Sequence, residues 1–401
     1  MRCGKCNQGR LKILNEDMKI KKVDNMKLIF ASDSFKGTLS SNETAELLRM
    51  AAINVFGQCD IVSVGLADGG EGTIDAIIGE VEGKKEYVKV HDPLMRDVAA
   101  YYCMTEDNRA IIEMAQSSGL ILVSEDERNP LYTTSYGTGE LILNAIKNGA
   151  KEIIVSIGGS ATNDGGMGCA TALGVDFLDA DGNKLEGKGI NLEKVFDIDF
   201  SGIPYEVKNV RFTVMCDVTN PLCGEKGATH VYAKQKGASD EDILRLEAGM
   251  INYRDVIIKK TGINPDDIKG SGAAGGMGAA LSIFFKANMK SGIETIIDTI
   301  GFDKIIKDAD FIITGEGKAD FQSVYGKVMS GVAKRAKKYG IPVIALCGSL
   351  GEGYEKLYDC GISSFYSITE DVGEKEAMEH ASKWYFKKAV SMFEDLMIKD
   401  I

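Results

Sequence analysis

The chain has 401 residues, room for two domains at roughly 150 residues each, and its 44% hydrophobic and 26% charged residues are an ordinary soluble balance able to bury a large core. Lys plus Arg number 47 against 59 Asp plus Glu, and the resulting net charge of −12 excludes nucleic-acid binding driven by a basic field. The longest apolar stretch, residues 270–285, is glycine-rich and falls short of the roughly 20 apolar residues that a membrane span needs.

Residues 1–25 differ from the rest: a Cys3/Cys6 knuckle, then a lysine-rich stretch of little periodicity. No second C-x-x-C or Cys/His pair completes a zinc set, so this segment is expected to be a disordered extension. No apolar run follows its charges, so no secretory signal is expected. The nine cysteines are scattered, mostly inside apolar runs, and a cytoplasmic protein without a disulfide framework is predicted.

Lys27 to Ala31 reads as the first strand. Ser40 and Glu43 then have capping-box spacing, and Leu48, Ala51, Ala52 and Val55 share one face of the helix that follows. Gly57 ends that helix before a second strand at Ile61 to Val64. Strand, loop, helix, strand is a βαβ unit and implies a parallel sheet. The last third repeats the pattern, with strands at Asp310 to Thr314 and Val343 to Leu346 around a helix faced by Val324, Val328, Val332 and Ala336. The middle is less regular and is expected to hold strands at Ile153 to Ile157 and Arg211 to Cys216. The expected fold class is α/β: a parallel-sheet domain built from both chain ends, residues 26–92 and 290–401, with an inserted α+β domain over 93–289.

Five segments combine glycine with acids, hydroxyls or lysine directly after an expected strand: Ser32 to Thr38, Ala67 to Thr73, Gly158 to Gly166, Cys216 to Pro221, and Thr314 to Asp320. Ligands of open parallel sheets bind beyond the carboxyl ends of the strands, where these loops gather. Glycine lets backbone N–H groups approach an anion, and the carboxylates suit magnesium or a hydroxyl proton. One such loop is more often a capping turn than a site, but five with paired acids point to a polyphosphate nucleotide, a metal and a small polar substrate.

Other signals fail. Gly270-Ser271-Gly272-Ala273-Ala274-Gly275 matches G-x-G-x-x-G, yet a turn precedes it where the dinucleotide fingerprint needs a strand. No P-loop exists, since Gly317-Lys318 and Gly326-Lys327 continue into Ala319 and Val328. Three histidines leave little material for a triad or a zinc site.

With these loops in view, the chain resembles the bacterial glycerate kinase family of glycerate 2-kinase type. The resemblance rests on Ala31 to Gly37, Ala67 to Gly72, Thr134 to Gly139, Gly158 to Gly166, Cys216 to Leu222, the 272–278 glycine loop and Thr314 to Asp320. It covers about 26–390, and Met95 stands where glycine is expected. It implies ATP- and magnesium-dependent phosphorylation of D-glycerate to 2-phosphoglycerate, with 3-phosphoglycerate or another hydroxy acid as alternatives, at an active site in the cleft between the two domains.

On that reading Lys36 and the 158–160 loop, with Ser160, Asn163 and Asp68 nearby, are candidates for holding glycerate. The acceptor of the hydroxyl proton is Asp164 or Asp217. Magnesium would take Asp68 or Asp320, with Glu316 as the alternative. The triphosphate would lie on Gly272, Gly275 and Gly276, or on Gly315, Glu316 and Gly317. The expected partners are D-glycerate and ATP, with no nucleic acid and no membrane; a homo-oligomer is compatible with the sequence. An NAD-dependent oxidoreductase and a non-catalytic sugar-acid sensor are the competing classes. The first lacks its strand, and the second has no need of Asp68, Asp164, Asp217 and Asp320 together.

Overall fold

The computed structural model describes residues 26–35, 37–67, 69–70, 72–324 and 326–398. The N-terminal extension with Cys3 and Cys6 lies outside them. Eleven strands form the two main sheets. In chain order they are β1 (Lys27–Phe30), β2 (Asp60–Ser63), β3 (Gly83–His91), β4 (Asp97–Thr105), β5 (Arg109–Glu113), β6 (Glu152–Ser156), β7 (Arg211–Met215), β8 (Asn288–Lys290), β9 (Phe311–Thr314), β10 (Val343–Cys347) and β11 (Ile362–Ser367). The chain divides into two compact units, the second being Gly69–Thr295 and the first made from the segments on either side of it.

The first unit is an open, all-parallel sheet in the order β2-β1-β9-β10-β11. Its central strands, Phe-Ile-Ile-Thr and Val-Ile-Ala-Leu-Cys, are buried at every position, as strands covered on both faces must be. The helix Ser41–Phe56 starts where the sequence places it: the Ser40 hydroxyl accepts from the Glu43 amide at 3.3 Å, and the Glu43 carboxylate accepts from the Ser40 amide at 2.8 Å. The helix Ala381–Ile398 packs beside it, Phe56 meeting Phe393 edge-on with ring centroids 5.4 Å apart. β1 has β2 on one side and β9 on the other, so the strand order reverses between β1 and β9. At such a reversal the loops diverge and leave a crevice.

The second unit carries a six-stranded sheet in the order β8-β7-β6-β5-β4-β3. β5 to β8 run parallel, whereas β3 and β4 form an antiparallel pair in register over their whole length. That pairing puts residues 69–92 in the second unit and not with the N-terminal segment, and 290–295 join them there, so both boundaries differ from the expected 92 and 290. The β3–β4 turn explains two sequence features. Met95 has φ +64°, a conformation that favours glycine. Asp92 accepts from the amides of Leu94 and Arg96 and from the Arg96 guanidinium, which fixes Arg96 as a structural residue. No helix among the described residues is long and apolar enough to cross a membrane.

Candidate active site

In the first unit Asp33, Glu316 and Asp320 lie on the loops at the strand-order reversal, near enough for the charges of the first and last to act on Glu316, although the three do not bring carboxylate oxygens within 4.8 Å of one another. Asp33 follows β1, and its amide donates to the Gly315 carbonyl at 2.9 Å. Glu316 follows β9, is only 7% exposed, accepts from the Ser323 hydroxyl, and has the Lys327 ammonium 3.7 Å away. Burial pushes its carboxyl above the usual carboxylate range, and the charges of Asp33 and Asp320 push the same way against Ser323 and Lys327. Asp320 holds its loop by accepting from the Gln322 amide at 2.9 Å. Gly315 is required by close approach, since a Cβ there would lie 1.9 Å from the Leu346 carbonyl of β10. Gly317 is half-buried beside them.

In the second unit the loop after β6 divides into two parts. Gly158 and Gly159 are exposed at the carboxyl end of the strand, whereas Ser160, Thr162, Asn163 and Asp164 are buried. Asp164 is fully buried. It accepts from the Ser135 amide and hydroxyl and from the amides of Gly166 and Gly168. Burial raises its pKa, and those four donors oppose the rise. An acid so enclosed anchors the helix starts around it, whereas Asp217, the other candidate proton acceptor, is exposed. Asp217 lies at the end of β7, with Oδ1 accepting from the Gly292 amide at 3.1 Å. β7 neighbours β6, Met215 pairing with Ser156, so Asp217 and the Gly158-Gly159 amides share one sheet edge.

Gly272, Gly275 and Gly276 of the 272–278 loop are buried, and their missing side chains are used by close backbone approach. A Cβ at Gly272 would lie 2.1 Å from the Pro221 carbonyl, one at Gly275 2.0 Å from the Thr162 carbonyl, and one at Gly276 2.7 Å from Gly165 Cα. The repeated Gly-Gly-Met-Gly segments at 165 and 275 thus mark two junctions that pack backbone against backbone, with the Gly165 amide donating to the Gly275 carbonyl at 2.8 Å. Asn163 donates to the Thr229 hydroxyl inside the same unit, and its Oδ1 has no hydrogen-bond partner among the described residues. Lys36 and Asp68 lie outside the described residues. The Gly69–Thr73 loop beside Asp68 is gripped from the sheet: Glu113, 2% exposed at the end of β5, accepts from the amides of Gly72 and Ile74, and Ser156 donates to the Gly69 carbonyl.

One residue the sequence did not single out stands at this site. Lys236 is 2% exposed, and its ammonium donates to the Ser160 hydroxyl at 2.8 Å and to the Thr162 carbonyl at 2.6 Å. Its surroundings in sequence, Ala-Lys-Gln-Lys-Gly, read as a solvated turn and give no signal of burial.

One unit is an open parallel sheet with acids on the loops at its order reversal, and the other is a sheet whose strand ends carry glycines and a carboxylate; each is the architecture of an α/β enzyme for anionic substrates. Comparison with known proteins makes the class specific. The sequence model of the glycerate kinase family matches residues 28–397, and the chain belongs to that family; it is a phosphotransferase. It is 44% identical over 349 residues to the glycerate 2-kinase of Escherichia coli K12, covering 87% of this chain and 92% of that protein. It is 43% identical over 342 residues to a glycerate kinase of Halalkalibacterium halodurans, covering 85% and 90% respectively. A crystal structure described as glycerate kinase 2 of Salmonella typhimurium LT2 superposes with a TM-score of 0.81 at 40% identity, over 94% of this chain and 99% of the other.

Proposed function

We propose that the protein transfers the γ-phosphoryl group of ATP to the 2-hydroxyl of D-glycerate in the cytoplasm, giving 2-phosphoglycerate and ADP. The observation that carries this reading is the 44% identity, over nearly the full length of both chains, to an enzyme named glycerate 2-kinase. Phosphoryl transfer needs positioning, charge neutralisation and a proton acceptor, and the two units offer these in separate places.

Asp33, Glu316 and Asp320 offer only oxygen ligands, the donor type that magnesium prefers, but the three do not bring their oxygens within 4.8 Å of one another, so two of them at most reach one ion as they stand. Glu316 and Asp320 would hold it, with Asp33 beside them and Asp68 as a further candidate. When bound, magnesium supplies charge neutralisation to the β- and γ-phosphates. Gly315 and Gly317, next to Glu316, remain the candidates for approach to the triphosphate. In the second unit the exposed amides of Gly158 and Gly159 suit the glycerate carboxylate, with Lys36 as the candidate counter-cation, and Asp217 takes the hydroxyl proton. Asn163 and Ser160 support that loop from beneath.

The test is ADP release with ATP, magnesium and D-glycerate, followed by phosphorus NMR of the product. Glycerate-dependent ADP with a 2-phosphate signal is the expected result. A 3-phosphate would overturn the choice of hydroxyl, and absence of turnover by folded protein would overturn glycerate as the acceptor.

A further inference from the structure

Lys236 closes the short 3-10 turn Lys234–Lys236, which Gly237 ends with φ +94°. Gly237 sits so close to the neighbouring chain that a Cβ would lie 2.2 Å from the Arg128 carbonyl, so the turn has one available place. From there the lysine side chain runs inward. Two of its N–H groups donate to Ser160 Oγ and the Thr162 carbonyl, and among the described residues no carboxylate lies within 4.0 Å of its nitrogen. Asp164 acts on it from farther off, its charge opposing the burial that lowers the lysine pKa to about 7.

A buried amine held only by neutral oxygens is costly, and an apolar side chain of the same length would fill the space without that cost. What the amine adds is two directed bonds to one loop. The Ser160 hydroxyl has no other hydrogen-bond partner among the described residues. Ser160 directly follows Gly158 and Gly159, exposed residues at the end of β6. The rest of the loop is tethered separately, the Ala161 amide donating to the Ser118 carbonyl and the Leu120 amide to the Gly159 carbonyl. The backbone on both sides of Ser160 is thus held in a bridge with Gly119, and what depends on the amine is the Ser160 hydroxyl and the Thr162 carbonyl.

We propose that Lys236 is a positioning residue for the phosphoryl acceptor, fixing the Gly158–Thr162 loop from inside the second unit so that its amides receive the acceptor's carboxylate. This rests on the reading of the enzyme as a D-glycerate kinase. Lys236 touches no substrate; it acts through Ser160 and Thr162.

The test compares wild-type protein with Lys236→Met and Lys236→Ala, each checked by thermal unfolding, and measures KM separately for D-glycerate and for ATP. In K236M the KM for glycerate is expected to rise about tenfold, the worth of roughly one buried hydrogen bond, with the KM for ATP within about twofold of wild type. Adding ethylammonium to K236A should return the glycerate KM toward wild type by refilling the amine position. A glycerate KM unchanged in K236M would overturn the proposal. So would both KM values rising together with a lowered melting temperature that the amine does not restore. If K236M does not fold, Ser160→Ala removes the same contact from the other side, and a wild-type glycerate KM there overturns the proposal equally. Wild-type protein inactive on D-glycerate would overturn the parent reading, a result distinct from an active wild type matched by K236M.

Discussion

Asp164 accepts two hydrogen bonds from Ser135, at 2.8 Å from its amide and 2.7 Å from its hydroxyl, and the pair ties the helix Tyr136–Lys147 to the loop after β6. Its carboxylate also receives the Gly166 and Gly168 amides. Asn in its place keeps one accepting oxygen and turns an amide nitrogen toward a donor. Asp164→Asn is therefore expected to destabilise the protein by about 1–3 kcal/mol, the cost of leaving a buried donor unmatched. Thermal unfolding checks this, and turnover per folded molecule should be retained. A large loss of turnover at an unchanged melting temperature would return the proton-acceptor role to Asp164.

Asp217→Asn makes the opposite forecast. Asn keeps an oxygen for the Gly292 amide, so the melting temperature should hold. Losing the proton acceptor should lower kcat by roughly 10²- to 10⁴-fold. Steady-state kinetics at saturating glycerate and ATP decide it, and an unchanged kcat removes Asp217 from the mechanism.

Glu316 carries a signed pH dependence. Its carboxyl titrates above the usual range because it is buried, so the folded state holds its proton to higher pH than the unfolded chain does. The stability its buried acid supplies is thus present at low pH and lost as pH rises through the raised pKa. Activity runs the other way, since only the carboxylate serves a metal. Glu316→Gln should melt no lower than wild type at pH 8 while requiring about tenfold or more magnesium for half-maximal rate. Unchanged magnesium dependence in this variant would exclude Glu316 as a ligand.

Lys236 gives a second signed prediction, for stability alone. Burial lowers its pKa from 10.5 to about 7, with Asp164 working against the drop. Between these values the unfolded chain binds the proton that the folded chain has released, so stability rises with pH across that window, by at most ~1.4 kcal/mol per pH unit. Below pH 7 both states are charged and the burial cost is constant. Urea unfolding of wild type and K236M from pH 6 to 10 measures it: the difference between them should narrow from one slope to none below pH 7. A pH-independent difference would show that the amine is charged throughout.

The local parts of this fold were legible because nearby residues decide them. The Ser40–Glu43 capping box, the βαβ order at the N-terminus and the largely apolar strands β9 and β10 each follow from a few consecutive side chains. Glu316 and Asp320 stood out in the sequence as acids among glycines after a strand, a pattern that capping turns share, as Asp164 shows. The β3–β4 hairpin was not, and its pairing moved residues 69–92 into the second unit.

Glycine-rich loops were legible as loops but not in their use. A glycine that admits a phosphate and one that admits another backbone look alike in sequence, because both exploit the missing Cβ. Gly275 lies against Thr162 and Gly276 against Gly165, contacts set by segments more than a hundred positions apart. The same holds for charge. Asp164, Asp217 and Lys236 are all ordinary polar residues in turn-like surroundings, yet the first and last are enclosed while Asp217 meets solvent. The sequence by itself determined the kinship, the parallel sheets and the set of loops that carry acids and glycines. Only the tertiary structure decided which of those groups is buried, because burial is a property of what distant chain segments lay over a residue.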